Sequence, residues 1–206
     1  MGPNPHPEPP PSFDSYELPL VSLDPDPDQV WQRLYRCSHA SSLHFGRGRQ
    51  YRFDDPQGDY GVLYVARDVQ GAFIETFGDS RGPTGELEIA RGDIAHRCVA
   101  RIDIVRSLQV VDLTGPGLAQ IQADGRLTAG DNYPLCRRWG RQIFDHRQRP
   151  DGILYRARHD QSRLSLAIVS RASNAVAETL HGGLLEPGNR PLLTDILGTY
   201  RIALLP

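Results

Sequence analysis

The 206-residue chain contains no lysine, so all 23 of its basic residues are arginines. The absence of lysine excludes a Walker-type phosphate loop, Schiff-base chemistry and a lysine nucleophile. Cationic contacts must come from arginine, whose planar fork suits bidentate binding of phosphate and carboxylate groups. A GC-rich genome would produce the same arginine excess. The formal net charge of −2 argues against a general nucleic-acid binder.

Cysteine and long apolar runs are also scarce. The three cysteines, Cys37, Cys98 and Cys136, show no CxxC or Cys/His ligand spacing. We therefore expect buried free thiols in a reducing compartment, without a disulfide framework or a structural zinc site. The N-terminus lacks the apolar segment of a signal peptide, and no apolar run approaches the roughly 18 residues of a membrane span. These absences predict a cytoplasmic protein with no membrane association.

Proline is concentrated at the N-terminus, where residues 1–27 hold nine of the 17 prolines. Proline fixes its own φ and pushes the preceding residue toward extended geometry. We therefore expect residues 1–28 to form a proline-rich arm that is disordered or extended and dispensable for folding. Residues 29–206 then form one domain that is long enough to bury a sizeable core.

The apolar pattern predicts more strands than helices. Strand patterns cover Val30–Arg36, Gly61–Ala66, two segments within residues 97–113, Ile153–Tyr155, Leu164–Val169 and Tyr200–Leu205. Asp68 provides an N-cap for a helix that ends at Gly78, and a second helix is predicted over Pro134–Phe144. Strands and helices do not alternate regularly, which favours an α+β fold over a doubly wound sheet.

Several standard catalytic motifs are missing. The chain has no GxGxxG after a strand, no GxSxG elbow and no HExxH, and its seven histidines are scattered singly. We therefore expect neither a bound metal nor a serine triad.

The segment most distinctive for chemistry is 36–79, in which a glycine- and arginine-rich loop precedes a strand and a helix that carries Glu75. Apolar neighbours surround Glu75, so its carboxylate should be half buried or face a cleft and should need a cationic partner. Two interpretations stay open. Either Arg36 or Arg52 pairs with Glu75 to brace the fold, or these residues form an active site.

Three segments together resemble the RES family. Residues 52–76 carry its Arg-aromatic-Asn/Asp-x-Pro pattern, the Leu/Val-Tyr strand end and the Ala-x-x-Glu helix. Residues 34–36, Leu-Tyr-Arg, look like its opening. Residues 151–160 are similar to its Asp-Gly-Ile-x-Tyr-x-Ser segment, although Ala157 stands where the serine is expected. The resemblance spans roughly residues 31–205.

The resemblance implies an α+β fold like that of the ADP-ribosyltransferases, with two small sheets and flanking helices around an NAD cleft. It implies an enzyme that consumes NAD, as a glycohydrolase, a phosphorylase or an ADP-ribosyltransferase. Such a protein would be the toxin of a bacterial toxin–antitoxin pair, with an Xre-like DNA-binding antitoxin as partner. The alternative is a RES-like binding or interaction protein whose catalysis is weakened or lost.

The resemblance also assigns roles to residues. It implies that Glu75 and Arg52 are catalytic and that Arg36, Arg52, Tyr64 and Tyr155 bind NAD. The chemistry agrees, because a carboxylate can stabilise the oxocarbenium-like state of nicotinamide–ribose cleavage. Arginines suit the pyrophosphate, and a tyrosine ring such as that of Tyr64 would stack on nicotinamide or close the pocket wall.

Overall fold

The computed structural model of the protein describes residues 6–206. The strands of this part of the chain are β1 Leu20–Leu23, β2 Trp31–Arg36, β3 Val62–Ala66, β4 Glu88–Ala90, β5 Arg97–Ile104, β6 Leu108–Asp112, β7 Gly152–Arg156, β8 Leu164–Val169, β9 Val176–Gly183 and β10 Ala203–Leu205. The α-helices are α1 Val69–Phe77, α2 Arg91–Ala95, α3 Gly117–Gln120, α4 Arg126–Ala129, α5 Tyr133–Asp145 and α6 Arg190–Tyr200. Short 3₁₀ helices lie at Phe13–Ser15, Ser170–Ala175 and Pro187–Asn189. None of the helices in this part of the chain combines the length and the apolar character needed to cross a bilayer.

Eight strands form one large curled sheet in the order β1-β6-β7-β8-β3-β2-β5-β9, and β10 pairs with β4 in a small second sheet. The mixed α/β composition with flanking helices agrees with the predicted α+β class. The expectation of two small sheets is wrong, because β8 is antiparallel to both β7 and β3 and so joins the two halves by hydrogen bonds. Within the large sheet, β6 and β7 run parallel.

Most of the predicted elements are confirmed. Strands β2, β3, β5, β6, β7 and β8 lie where the apolar patterns predicted them. Helix α1 begins after Asp68, whose side chain accepts a hydrogen bond from the Gly71 backbone nitrogen at 2.7 Å, and its C-cap is Gly78. Helix α5 starts one residue before the predicted Pro134, after an Asn132 cap.

The C-terminal part of the chain differs from the prediction. The segment predicted as a strand over Tyr200–Leu205 contains the last residue of α6 and a shorter strand, β10. Helix α6, with Pro191 in its first turn, and strand β9 were not predicted. Strand β9 lies at the edge of the sheet and is largely exposed, so it lacks the apolar alternation that marks a half-buried strand.

The proline-rich N-terminal segment packs on the rest of the protein. Phe13 is 1% exposed and makes an edge contact with Trp139, with ring centroids 5.4 Å apart. Leu18 is also buried, and β1 pairs with β6 in register from Leu20 to Leu23. A hydrogen bond of 2.9 Å from Trp139 Nε1 to the Pro7 oxygen and an ion pair of Arg138 with Glu8 add to these contacts. Residues 1–5 of the predicted arm lie outside the described residues.

The expectation of free thiols is wrong for two of the three cysteines. Cys37 and Cys98 form a disulfide with their Cα atoms 5.1 Å apart. The physical reason is the antiparallel pairing of β2 with β5, which sets Tyr35 opposite Cys98 and so brings the end of β2 to the start of β5. Cys136 is a buried free thiol, as expected.

The buried apolar side chains form three clusters, which pack on the large sheet and its flanking helices. Helix α5 buries Trp139, Ile143 and Phe144 against β7 and the N-terminal segment. Helix α1 buries Phe73 and Phe77 against α6 and against strands β2 and β5. The position of α1 over the sheet brings the solvent-facing residues of this helix to the wall of a cavity.

Candidate active site

A cavity of about 480 Å³ opens between the sheet, helix α1 and the loop that follows β2. Its volume lies within the range of ordinary small-molecule sites, about 300–1,000 Å³. All five site residues predicted from the sequence line this cavity: Arg36, Arg52, Tyr64, Glu75 and Tyr155. The structure therefore brings them together, and their roles stay predictions.

Glu75 projects from α1 into the cavity, where solvent reaches it. Its Oε1 atom accepts a hydrogen bond of 2.6 Å from the backbone nitrogen of Arg158. The enclosing walls raise the pKa of Glu75, and the nearby charges of Arg52 and Arg158 oppose that rise in part. Within the described part of the chain, no guanidinium lies within 4.0 Å of this carboxylate. A simple ion pair of Glu75 with Arg36 or Arg52 is therefore not what braces the fold.

Arg52 is 4% exposed and is held in place by the protein. Its Nη1 donates to the backbone oxygens of Leu127 and Gly130 at 3.1 and 2.9 Å, and it lies 3.4 Å from the Cys136 sulfur. The guanidinium lies over the Tyr133 ring, 4.9 Å from its centroid. Among the described residues, Nε and Nη2 have no hydrogen-bond partner. One edge of the guanidinium is thus anchored, and the other is available to a ligand.

Four more arginines line the cavity: Arg33, Arg36, Arg47 and Arg97. Arg36 and Arg97 are partners in the β2–β5 register, so their side chains share one face of the sheet. Burial and the neighbouring Arg36 charge lower the pKa of Arg97, and burial lowers the pKa of Arg33 to about 10. Within residues 6–206, none of these arginines forms an ion pair with a carboxylate. Clustered guanidinium groups without carboxylate partners favour an anionic ligand.

The Tyr64 hydroxyl holds the arginine-rich loop. It donates to Asp54 Oδ1 at 3.0 Å and accepts from the Phe53 nitrogen at 2.9 Å. Asp54 in turn accepts hydrogen bonds from the backbone nitrogens of Gln50 and Tyr51. Tyr64 therefore fixes the loop that carries Arg52, and its ring also forms part of the cavity wall.

Tyr155 and Ser165 lie side by side at the floor of the cavity. They are partners in the β7–β8 register, and both line the cavity. Burial and the nearby Glu75 charge raise the pKa of Tyr155. Ala157, at the position of the expected serine, is fully buried outside the lining residues, and its backbone nitrogen donates to the Arg163 oxygen at 3.0 Å.

The sequence did not single out several residues that line the cavity: Arg33, Arg97, Tyr51, Tyr133 and Ser165. The position of Tyr51 beside Arg52, in the glycine- and arginine-rich loop, could have indicated that it lines the site. Its side chain is 59% exposed. Arg97 and Ser165 reach the cavity only through strand pairing, and nothing local in the sequence marks them. Among residues 6–206, no group of three or more His, Cys, Asp and Glu side chains is arranged to hold a metal ion.

The fold and the cavity define a mixed α/β protein with an arginine-lined cleft and one carboxylate at its wall. The RES domain family model matches residues 31–187, which is most of the chain. The chain therefore belongs to the RES domain family.

Two relatives extend this assignment. A Sinorhizobium fredii protein named "Probable toxin y4kH" is 24% identical over 105 residues, which cover 51% of this chain and 82% of that protein. A chain in the crystal structure of the M. tuberculosis MbcT–MbcA toxin–antitoxin complex superposes with a TM-score of 0.62 at 15% identity. That match covers 90% of this chain and 94% of the other. At this identity the likeness shows a shared fold.

Proposed function

We propose that this RES domain protein cleaves NAD at the nicotinamide–ribose bond and acts as the toxin of a toxin–antitoxin pair. The observation that carries the proposal is the composition of the cavity, where five arginines without carboxylate partners accompany the Glu75 carboxylate. NAD has the matching chemistry, because it combines an anionic pyrophosphate with a glycosidic bond whose cleavage develops positive charge.

The proposed reaction is a displacement at the anomeric carbon of the nicotinamide ribose. The carbon–nitrogen bond breaks, nicotinamide leaves with the electron pair, and an acceptor oxygen forms the new bond and loses its proton. Ionised Glu75 stabilises the positive charge on the ribose in the transition state. The acceptor is water in a glycohydrolase, phosphate in a phosphorylase or a side chain in a transferase.

In the proposed reaction, one group of side chains contacts the ribose and a second group binds the pyrophosphate. Glu75, Arg52 and Tyr155 influence one another electrostatically and surround the reacting ribose. Arg36 and Arg97, adjacent across the β2–β5 pair, bind the pyrophosphate through paired charge-assisted hydrogen bonds. No lysine is available to replace them.

The toxin role and the partner are proposed from the relatives. One is named a probable toxin, and the other comes from a toxin–antitoxin complex. We propose an antitoxin partner of the Xre-like type and a cytoplasmic location, since NAD is a cytoplasmic metabolite.

A binding protein with weakened catalysis is the second candidate, and Ala157 in place of the expected serine favours it. Incubating the purified full-length protein with NAD separates the two candidates. We expect release of nicotinamide, measured by chromatography, with heat-inactivated protein as control. Parallel reactions with and without inorganic phosphate identify the acceptor from the ADP-ribose product.

No release of nicotinamide together with tight NAD binding would support the binding protein. If the protein neither releases nicotinamide nor binds NAD, both candidate functions are overturned. For the toxin role, expression of the chain should arrest bacterial growth, and co-expression of a neighbouring open reading frame should restore it.

A further inference from the structure

Ser165 has a buried hydroxyl at the cavity floor that forms no hydrogen bond of normal geometry within the described residues. The residue is 2% exposed, and it lines the cavity from strand β8. Among the described residues, no group forms a hydrogen bond of normal length and angle with its Oγ atom, although the Tyr155 hydroxyl lies near it. Buried hydroxyls are normally hydrogen-bonded, so an unpaired one that borders a cavity points to a ligand.

Two other serine hydroxyls provide a contrast. The Ser42 hydroxyl is fully buried and donates to Glu178 Oε2. The Ser170 hydroxyl accepts from the Gly61 nitrogen at 3.1 Å. The protein therefore satisfies these two serine hydroxyls, whereas Ser165 forms no such hydrogen bond.

Strand register fixes the neighbours of Ser165. It pairs with Ala66 of β3 on one side and with Tyr155 of β7 on the other, and all three line the cavity. Tyr155 lies within the electrostatic influence of Glu75. Ser165 thus belongs with the carboxylate, away from the Arg36–Arg97 pair that suits the pyrophosphate.

We infer that Ser165 contacts the substrate, and that its hydroxyl donates a hydrogen bond to an oxygen atom on the nicotinamide riboside half of NAD. The inference rests on the proposed NAD-cleaving function. It assigns an uncharged hydrogen-bond donor to the position beside Tyr155 in the sheet. The arginines proposed to bind the phosphates are not neighbours of this position in the strand register.

The test compares Ser165→Ala with Ser162→Ala in the full-length protein. The Ser162 hydroxyl bonds to Asp160 outside the cavity, so that variant controls for the substitution itself. NAD affinity and AMP affinity are measured by calorimetry, kcat and KM by nicotinamide release, and folding by melting temperature. AMP lacks the nicotinamide riboside half.

We expect Ser165→Ala to weaken NAD binding by about 3- to 10-fold, the effect of one hydrogen bond. AMP affinity should not change, and the melting temperature should not fall, because no hydrogen bond within the protein is lost. Ser165→Cys, of similar size but with a weak donor, should give an intermediate NAD affinity.

Equal NAD affinity and turnover in wild type and Ser165→Ala would overturn the inference and leave the NAD-cleaving function intact. A fall in melting temperature with equal loss of NAD and AMP binding would also overturn it, as would a Ser165→Cys variant indistinguishable from wild type. A wild-type protein that binds no NAD would contradict the proposed function itself and this inference with it.

Discussion

The Oε1 atom of Glu75 accepts a 2.6 Å hydrogen bond from the backbone nitrogen of Arg158, so the carboxylate of α1 is tied to the loop after β7 and not to a guanidinium. A backbone donor positions the carboxylate without neutralising it. Glu75 therefore faces the cavity as a fixed group whose charge is available to a ligand.

Replacing Glu75 with glutamine tests the catalytic role. The amide oxygen can still accept from the Arg158 nitrogen, so we expect the fold and NAD binding to be kept. Nicotinamide release should fall by about 10²-fold or more, as when a preorganised electrostatic group is removed. Glu86→Gln, on the exposed surface outside the cavity, is the matched control. Normal turnover with a lowered melting temperature would mean that Glu75 only supports the fold.

The raised pKa of Glu75 predicts two effects of pH. Since the ionised form is the active one, kcat/KM should rise with pH through a midpoint above the ordinary glutamate value of about 4.3. For stability, a pKa raised by folding means that the folded state binds the proton more tightly than the unfolded chain. At pH values above that midpoint, the Glu75→Gln variant should therefore have a higher melting temperature than wild type. The difference in melting temperature should vanish at pH values below the pKa of glutamate in the unfolded chain. A constant difference across pH would contradict the raised pKa.

The arginines should differ in what they contribute. Arg36→Ala should weaken NAD binding with little change in melting temperature, because Arg36 is exposed and holds no other element. Arg52→Lys should lower both the NAD affinity and the melting temperature. A lysine ammonium cannot bond to Leu127 and Gly130 as Nη1 does and at the same time present a second set of donors to the ligand. Calorimetry and thermal melting are the measurements, with the exposed Arg91→Ala as control. Unchanged NAD affinity in both variants would exclude them from the binding site.

The N-terminal segment should be required for stability, in contrast to the expectation from its proline content. Phe13→Ala leaves a cavity against Trp139 and should cost about 3–5 kcal/mol of the free energy of unfolding. Deleting residues 1–28 should be more severe, because β6 also loses its partner strand. Denaturant unfolding of the two variants checks this, with Pro25→Ala in the exposed loop before β2 as control. A deletion variant with the melting temperature of the full chain would show that the packing of this segment does not stabilise the fold.

The disulfide should stabilise the protein and the cavity mouth together. Cys37 and Cys98 are separated by 61 residues, and closing such a loop contributes about 2–4 kcal/mol. Reduction should lower the melting temperature and weaken NAD binding, because Arg36 and Arg97 directly adjoin the two cysteines. Cys37→Ser should behave like the reduced wild type and should not respond to reductant. A reductant effect of equal size in that variant would rule out this bond as the cause.

Much of the local structure followed from the sequence because it depends on short-range chemistry. The Asp68 cap and Gly78 define α1, and the apolar period of α1 and α5 predicts which side chains they bury. Glu75 was predictable as a cleft residue since it stands among apolar neighbours on that helix. The absence of lysine alone determined that a permanently charged cationic contact must use arginine.

Only the tertiary structure decided which distant residues share the cavity. Arg97, Ser165 and the Cys37–Cys98 bond depend on how β2 pairs with β5 and β7 with β8. A strand's neighbour is set by contacts between segments far apart in the chain, and a shift of one residue would turn each side chain to the other face. The packing of Phe13 is likewise invisible locally, because the proline pattern describes the backbone while burial is settled by α5, more than a hundred residues later.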